Sequence, residues 1–122
     1  MTTNATPAAI GKGRFISLWI LSVLAALAFL AAGSAKLAGA AAMVRVFEKV
    51  GLGQWFRYFT GTLEVAGAIG LLISRYAFYA ASLLALVMVG AIIAHITVLG
   101  SSPAAPIVLL ALSGTIAYFR KP

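Results

Sequence analysis

Four apolar runs, Phe15–Ala35, Trp55–Ile73, Tyr76–Leu99 and Pro103–Phe119, take up most of a chain of 122 residues. Each approaches or exceeds the ~20 residues that an α-helix needs to cross a bilayer. A soluble fold of this size could not cover them. The chain is 63% hydrophobic and 9% charged, whereas soluble domains run near half apolar and a quarter charged. In lipid the apolar side chains meet a matching solvent, and helices satisfy their own backbone polar groups. The sequence therefore predicts an all-α protein, a four-transmembrane-helix bundle with spans at 15–36, 55–73, 76–99 and 103–119. These form one membrane domain, residues 15–120, behind a polar tail at 1–14 that is expected to be disordered.

The connections refine this picture. Between the first two runs, Met43, Val46, Phe47 and Val50 share one helical face, while Arg45, Glu48 and Lys49 share the other. This pattern predicts a short amphipathic helix lying in the interface, with Arg45 and Glu48 spaced to pair. Ser74-Arg75 reads as a tight turn. Ser102 is placed to cap the last helix, with Pro103 at its first position. Lys12 and Arg14, an apolar run and Gly33-Ser34-Ala35 also fit a signal peptide, but the run is longer than the ~7–15 residues of an h-region, so it reads as a span.

Nine Lys and Arg against two acidic residues give a net charge of +7. They form no stripe of the kind that tracks nucleic acid, and no nucleic-acid partner is expected. They sit at the ends of the runs, where cations meet lipid head groups. With four spans both termini lie on one side, together with Lys12, Arg14, Arg75, Arg120 and Lys121. The other side carries Lys36, Arg45, Lys49 and Arg57. Five against four favours termini in the cytoplasm of a bacterial-type inner membrane. Arg57, close to its helix end, is expected to snorkel.

Three polar residues lie within or at the edge of the spans. Glu64 is the costliest, at ~2.5 kcal/mol or more for a carboxylate in mid-bilayer. It reads either as an acid–base or ligand-contacting group or as a structural carboxyl bonded to a neighbouring helix. Gly61, Gly67 and Ala68 surround it at helical spacings, which turns it toward the other helices. Gly33, Gly61, Gly67 and Gly90 are expected to pack helix against helix, because small residues let backbones approach in a membrane. His95 is alone and makes a poor metal site, since zinc wants three or four ligands; no metal is expected. It reads as an interhelical hydrogen-bond bridge or as a proton donor to a ligand. Lys36 is either an interfacial lysine or a counter-charge for Glu64 or an anionic ligand. Counted from the Ser74 turn, Glu64 rises ~13 Å and His95 ~27 Å, with Lys36 near the level of His95. This predicts a polar shaft with Glu64 as its floor, ~14 Å below the other two, and no tight catalytic triad.

Three stretches carry a family resemblance: Phe29-Leu30-Ala31-Ala32-Gly33-Ser34-Ala35-Lys36-Leu37, Gly61-Thr62-Leu63-Glu64-Val65-Ala66-Gly67-Ala68, and Met88, Gly90, Ala91 with Ala94-His95-Ile96. Their order and spacing resemble the DoxX-like family over about residues 15 to 120. The resemblance implies a four-helix membrane bundle with Gly33, Lys36, Glu64 and His95 as its key positions. Family members are named for subunits of thiosulfate:quinone oxidoreductase, and some relatives are linked to membrane redox or oxidative-stress complexes. Others are membrane chaperones. This chain has no cysteine, so a dithiol relay would need a partner subunit.

Three functions stay open on the sequence. One is an accessory or quinone-linked subunit of a membrane redox complex, holding a quinone or other lipid-soluble molecule and no covalent cofactor. The second is a non-enzymatic scaffold or assembly factor, bound to a partner membrane or redox subunit or to a second copy of itself. The third is a small isomerase-type enzyme with Glu64 as its acid or base; a proton-coupled small-molecule exporter, which would need a dimer, ranks behind these three.

Overall fold

The structure, a computed structural model, describes residues 7–122, with side chains from residue 11 onward. Its five α-helices are α1 (Pro7–Ala38), α2 (Ala41–Val50), α3 (Trp55–Leu71), α4 (Ala77–Ala94) and α5 (Ala104–Arg120). A 3₁₀ turn at Ser74–Tyr76 joins α3 to α4, and α4 runs on into a π-helical turn at His95–Leu99. No strand occurs among the described residues.

Helix α1 starts earlier than expected. Residues 7–14 of the expected tail are helical, and residues 1–6 lie outside the described residues. Pro7 suits a first helical position, where its missing N–H costs nothing. Gly39, at φ 74°, ends α1 in the left-handed region that only glycine enters freely. Gly51 closes α2 in the same way, its N–H bonded to Phe47 O at 3.2 Å. The π turn ends at Gly100, whose N–H bonds back to His95 O at 3.0 Å. Helix α5 begins at Ala104 rather than Pro103, and Ser102 Oγ accepts the Ala104 N–H at 3.2 Å.

The helices close a ring in the order α1, α3, α4, α5. Helix α1 packs antiparallel on α3, Gly33 lying against Gly61 and Glu64 while Gly39 lies against Arg57. At the opposite end of α1, Arg14 reaches the last turn of α5. Helix α2 lies over the far end, touching α1, α3 and the π turn, and Lys49 Nζ donates to Leu99 O at 3.2 Å. It is amphipathic as expected, with Phe47 buried and Arg45, Glu48 and Lys49 exposed. Arg45 and Glu48 form no ion pair; both are exposed, where such pairs gain little over hydration.

Small side chains make up much of the core. Ala25, Ala26 and Phe29 of α1 meet Ala68 and Leu71 of α3, Ala80, Ala81, Leu84 and Met88 of α4, and Ile116 of α5. By supplying that core, α1 is an integral wall of the bundle. Many large apolar residues point the other way: Leu86 is 70% exposed, Ile96 67% and Phe15 60%. The stretches Gly11–Ala38 and Ser74–Leu99 are long and apolar enough to cross a membrane, and only 22% and 11% of their most apolar windows are buried. A core helix of a soluble protein would be mostly buried, so these helices present their apolar faces outward.

Candidate functional site

Glu64 is fully buried in the middle of α3, 1% exposed. The same face of α3 carries Arg57, Gly61, Ala68 and Leu71. Lys36, in the last turn of α1, reaches it with Nζ 2.8 Å from Glu64 Oε1. This is the only ion pair among the described residues. Oε1 accepts no hydrogen bond of ordinary geometry, so the contact is one of charge more than direction.

This contact corrects the expected depths. Lys36 is not ~14 Å from Glu64 but in contact with it. Helix α1 ends beside the first turn of α3, with Gly39 against Arg57, and Lys36 sits further in, its Cβ against Gly61, while Gly33 faces Gly61 and Glu64. Side chains on a helix lean toward its N-terminus, which carries Lys36 inward toward Glu64. Of the readings open to Lys36, the structure shows the counter-charge.

Arg57 also departs from expectation. It is 5% exposed and turns inward instead of snorkelling. Its Nη1 donates to the backbone carbonyl of Lys36, and its Nε donates to Gln54 Oε1 at 2.6 Å. Gln54 Nε2 in turn donates to Val44 O at 3.1 Å, and the guanidinium lies 4.3 Å from the Tyr58 ring centroid. Arg57 thus adds a second donor to a carbonyl in the last turn of α1 that also accepts from the Gly39 N–H at 3.3 Å, and a cation there suits the helix dipole. Arg57 and Gln54 tie α1, α2 and α3 together beside the ion pair. A signal for this was present: Arg57 lies seven residues before Glu64, two helical turns, and so on the same face. Arg57→Met is expected to cost ~1–3 kcal/mol by removing the donor to the part-buried Gln54 Oε1 and one of the two donors to the Lys36 carbonyl. Thermal unfolding in detergent checks this, and Arg57→Lys should recover only part of the loss because it lacks the planar fork.

A cavity of about 250 Å³ lies beside the pair. Lys36 and Glu64 supply polar groups to a wall otherwise built from residues such as Phe47, Phe56, Leu63, Met88 and Ala91. His95 and Leu99 of the π turn line it too. His95 is half-buried, its Nδ1 2.8 Å from Ser101 Oγ. That bond holds the ring and leaves Nε2 without a partner among the described residues. Lys36, Glu64 and His95 therefore border one cavity, with no direct bond from His95 to the pair. Of the aromatic wall from α2 and the start of α3, Phe47 was legible in the sequence only as part of the apolar face of α2, and Phe56 and Phe59 not at all.

The glycines divide. A Cβ at Gly33 would lie 2.8 Å from Val65 Cγ2 and 2.9 Å from Gly61 O, and one at Gly61 would lie 3.0 Å from both Gly33 O and Lys36 Cβ. Gly67 is packed tightly against Leu84. Gly90 is not a packing glycine, because a Cβ there meets nothing within 4 Å. The core face of α4 runs through Ala77, Ala81, Leu84 and Met88; Gly90, two residues past Met88, turns away from it and borders the cavity instead.

An all-α fold among the described residues, with two helices long and apolar enough to cross a membrane and turned outward, fits the class of helical membrane proteins. More specifically, residues 20–116 match the DoxX-like family, and the chain belongs to it. No curated protein and no solved structure matches the chain.

Proposed function

We propose that this is a four-span protein of the bacterial cytoplasmic membrane, termini inside, whose cavity holds the head of a lipid-soluble small molecule. A quinone in an accessory subunit of a membrane redox complex fits best. The observation that carries this reading is the apolar cavity with a buried Lys36–Glu64 pair in its wall. Ligand sites combine apolar walls with a few placed polar groups. Lys36 Nζ is a donor suited to a carbonyl oxygen, as is His95 Nε2 in the tautomer in which Nδ1 accepts from Ser101 Oγ, and Glu64 can accept from a hydroxyl. A volume of about 250 Å³ is below the ~300–1,000 Å³ of most small-molecule sites, which suits one ring and sends any tail out into lipid.

The test is native mass spectrometry with lipid extraction on protein purified gently from its own membrane. Wild type should retain one small lipid-soluble molecule, identified as a quinone by its redox difference spectrum. Glu64→Gln should lower its occupancy about tenfold, the value of one charged hydrogen bond of ~1.5 kcal/mol or slightly more. Gly90→Leu should exclude the molecule by filling the cavity. An empty wild-type protein holding a stoichiometric partner, unchanged in Glu64→Gln, would replace this reading with that of a scaffold.

A further inference from the structure

The opposite end of the bundle carries a second polar cluster, unconnected with the cavity. Arg14 of α1 donates through Nη2 to Phe119 O at 3.2 Å, and its guanidinium lies 5.0 Å from the Phe119 ring centroid. Arg120 of α5 lies 5.3 Å from the Trp19 ring of α1. Its Nε and Nη2 are buried and donate to no acceptor among the described residues. Lys121 lies over Tyr118 at 4.1 Å. The chain's two acidic residues are Glu48 and Glu64, both placed elsewhere, so no acidic side chain answers these cations.

We infer that Arg120 and Arg14, with Trp19 beside Arg120, form a binding site for the phosphodiester headgroup of an anionic phospholipid. Buried guanidinium N–H groups left without acceptors are costly. Rotation of the part-buried Arg120 side chain brings them to the surface, where a phosphate oxyanion satisfies them with the bidentate geometry that arginine favours. The carbonyl end of a helix ordinarily repels an anion, but here Arg14 already engages the Phe119 carbonyl and offsets that end of α5. Trp19 and the exposed Phe15 and Ile16 beside it provide an apolar wall for the first part of the acyl chains. A zwitterionic lipid brings its own cation to the site and is disfavoured. This separates a discrete site from the diffuse attraction of basic residues to head groups.

The test places the full-length protein in nanodiscs of equal phosphatidylglycerol and phosphatidylethanolamine and counts retained lipids by native mass spectrometry. One phosphatidylglycerol should stay bound to wild type. Arg120→Gln and Arg14→Gln should each lower its retention roughly tenfold, the loss of one charge-assisted contact. Arg120→Lys should lose part of the retention and Arg75→Gln none. Equal retention of both lipids, equal loss in Arg75→Gln, or full retention in Arg120→Lys would overturn the site. Soluble glycerol phosphate should not occupy it; occupancy matching that of the lipid would overturn the lipid as its ligand. Helicity by circular dichroism confirms folding, and if Arg120→Gln fails to fold, Arg14→Gln and Arg120→Lys decide the outcome.

Discussion

Lys36→Met is expected to destabilise the folded protein by ~3–5 kcal/mol, the cost of stranding one member of a buried ion pair. Glu64→Gln alone should cost less, ~1–2 kcal/mol, and the double variant should recover most of the Lys36→Met loss. The asymmetry follows from position. Glu64 is enclosed in the middle of α3, whereas the Lys36 side chain is 14% exposed and lies two residues from the end of α1. Deprived of its partner, Lys36 can swing its ammonium toward the head groups. Glu64 has no such exit, and Oε1 has no hydrogen-bond donor to fall back on. Reversible unfolding in mixed detergent micelles, followed by tryptophan fluorescence and helicity, gives the four stabilities of the cycle. A coupling energy within 0.5 kcal/mol of zero, roughly the additivity limit for independent sites, would mean that the 2.8 Å contact contributes nothing to the fold.

That pair also shows how far the sequence could be read. The extents of α3, α4 and α5 were largely legible because they depend on local signals, apolar runs ended by Ser74-Arg75 and Gly100, whereas the start of α1 within residues 7–14 was not. The amphipathic α2 was legible for the same reason, since its two faces differ within ten residues. The inward turn of Glu64 could be read from the small residues around it. What failed was the axial register between helices. Depth counted from one turn takes Lys36 to the far end plane, yet α1 ends beside the first turn of α3 and Lys36 stands about one turn further in, against Gly61 and within side-chain reach of Glu64. The Gly33–Gly61 contact sets that offset, and only packing reveals which glycines face each other. The same limit hid Arg57: its distance from the helix end suggested snorkelling, while its acceptor, the Lys36 carbonyl, belongs to another helix. Gly90 failed in the opposite direction, because glycine in an apolar run signals either close packing or open space.

Gly33→Val should therefore be the most damaging of the small substitutions, at ~3 kcal/mol or slightly more, the upper part of the range for overpacking. Even the Cβ of alanine would stand 2.8 Å from Val65 Cγ2 and 2.9 Å from the Gly61 carbonyl oxygen. Val65 is β-branched and stiff, and the carbonyl is fixed in the α3 backbone, so neither can yield without moving the helices apart. Gly90→Ala has open space, and removing a helix-interior glycine should stabilise it by ~0.5–1 kcal/mol. The comparison separates a general dislike of larger side chains from a specific contact between α1 and α3. It also bears on the ion pair. If Gly33 sets the register that brings Lys36 to Glu64, then in a Gly33→Val background the Lys36–Glu64 coupling energy should fall to near zero while helicity is retained. Coupling that survives Gly33→Val would show that Lys36 finds Glu64 through the reach of its own side chain, and the close approach of the two backbones would then serve stability alone.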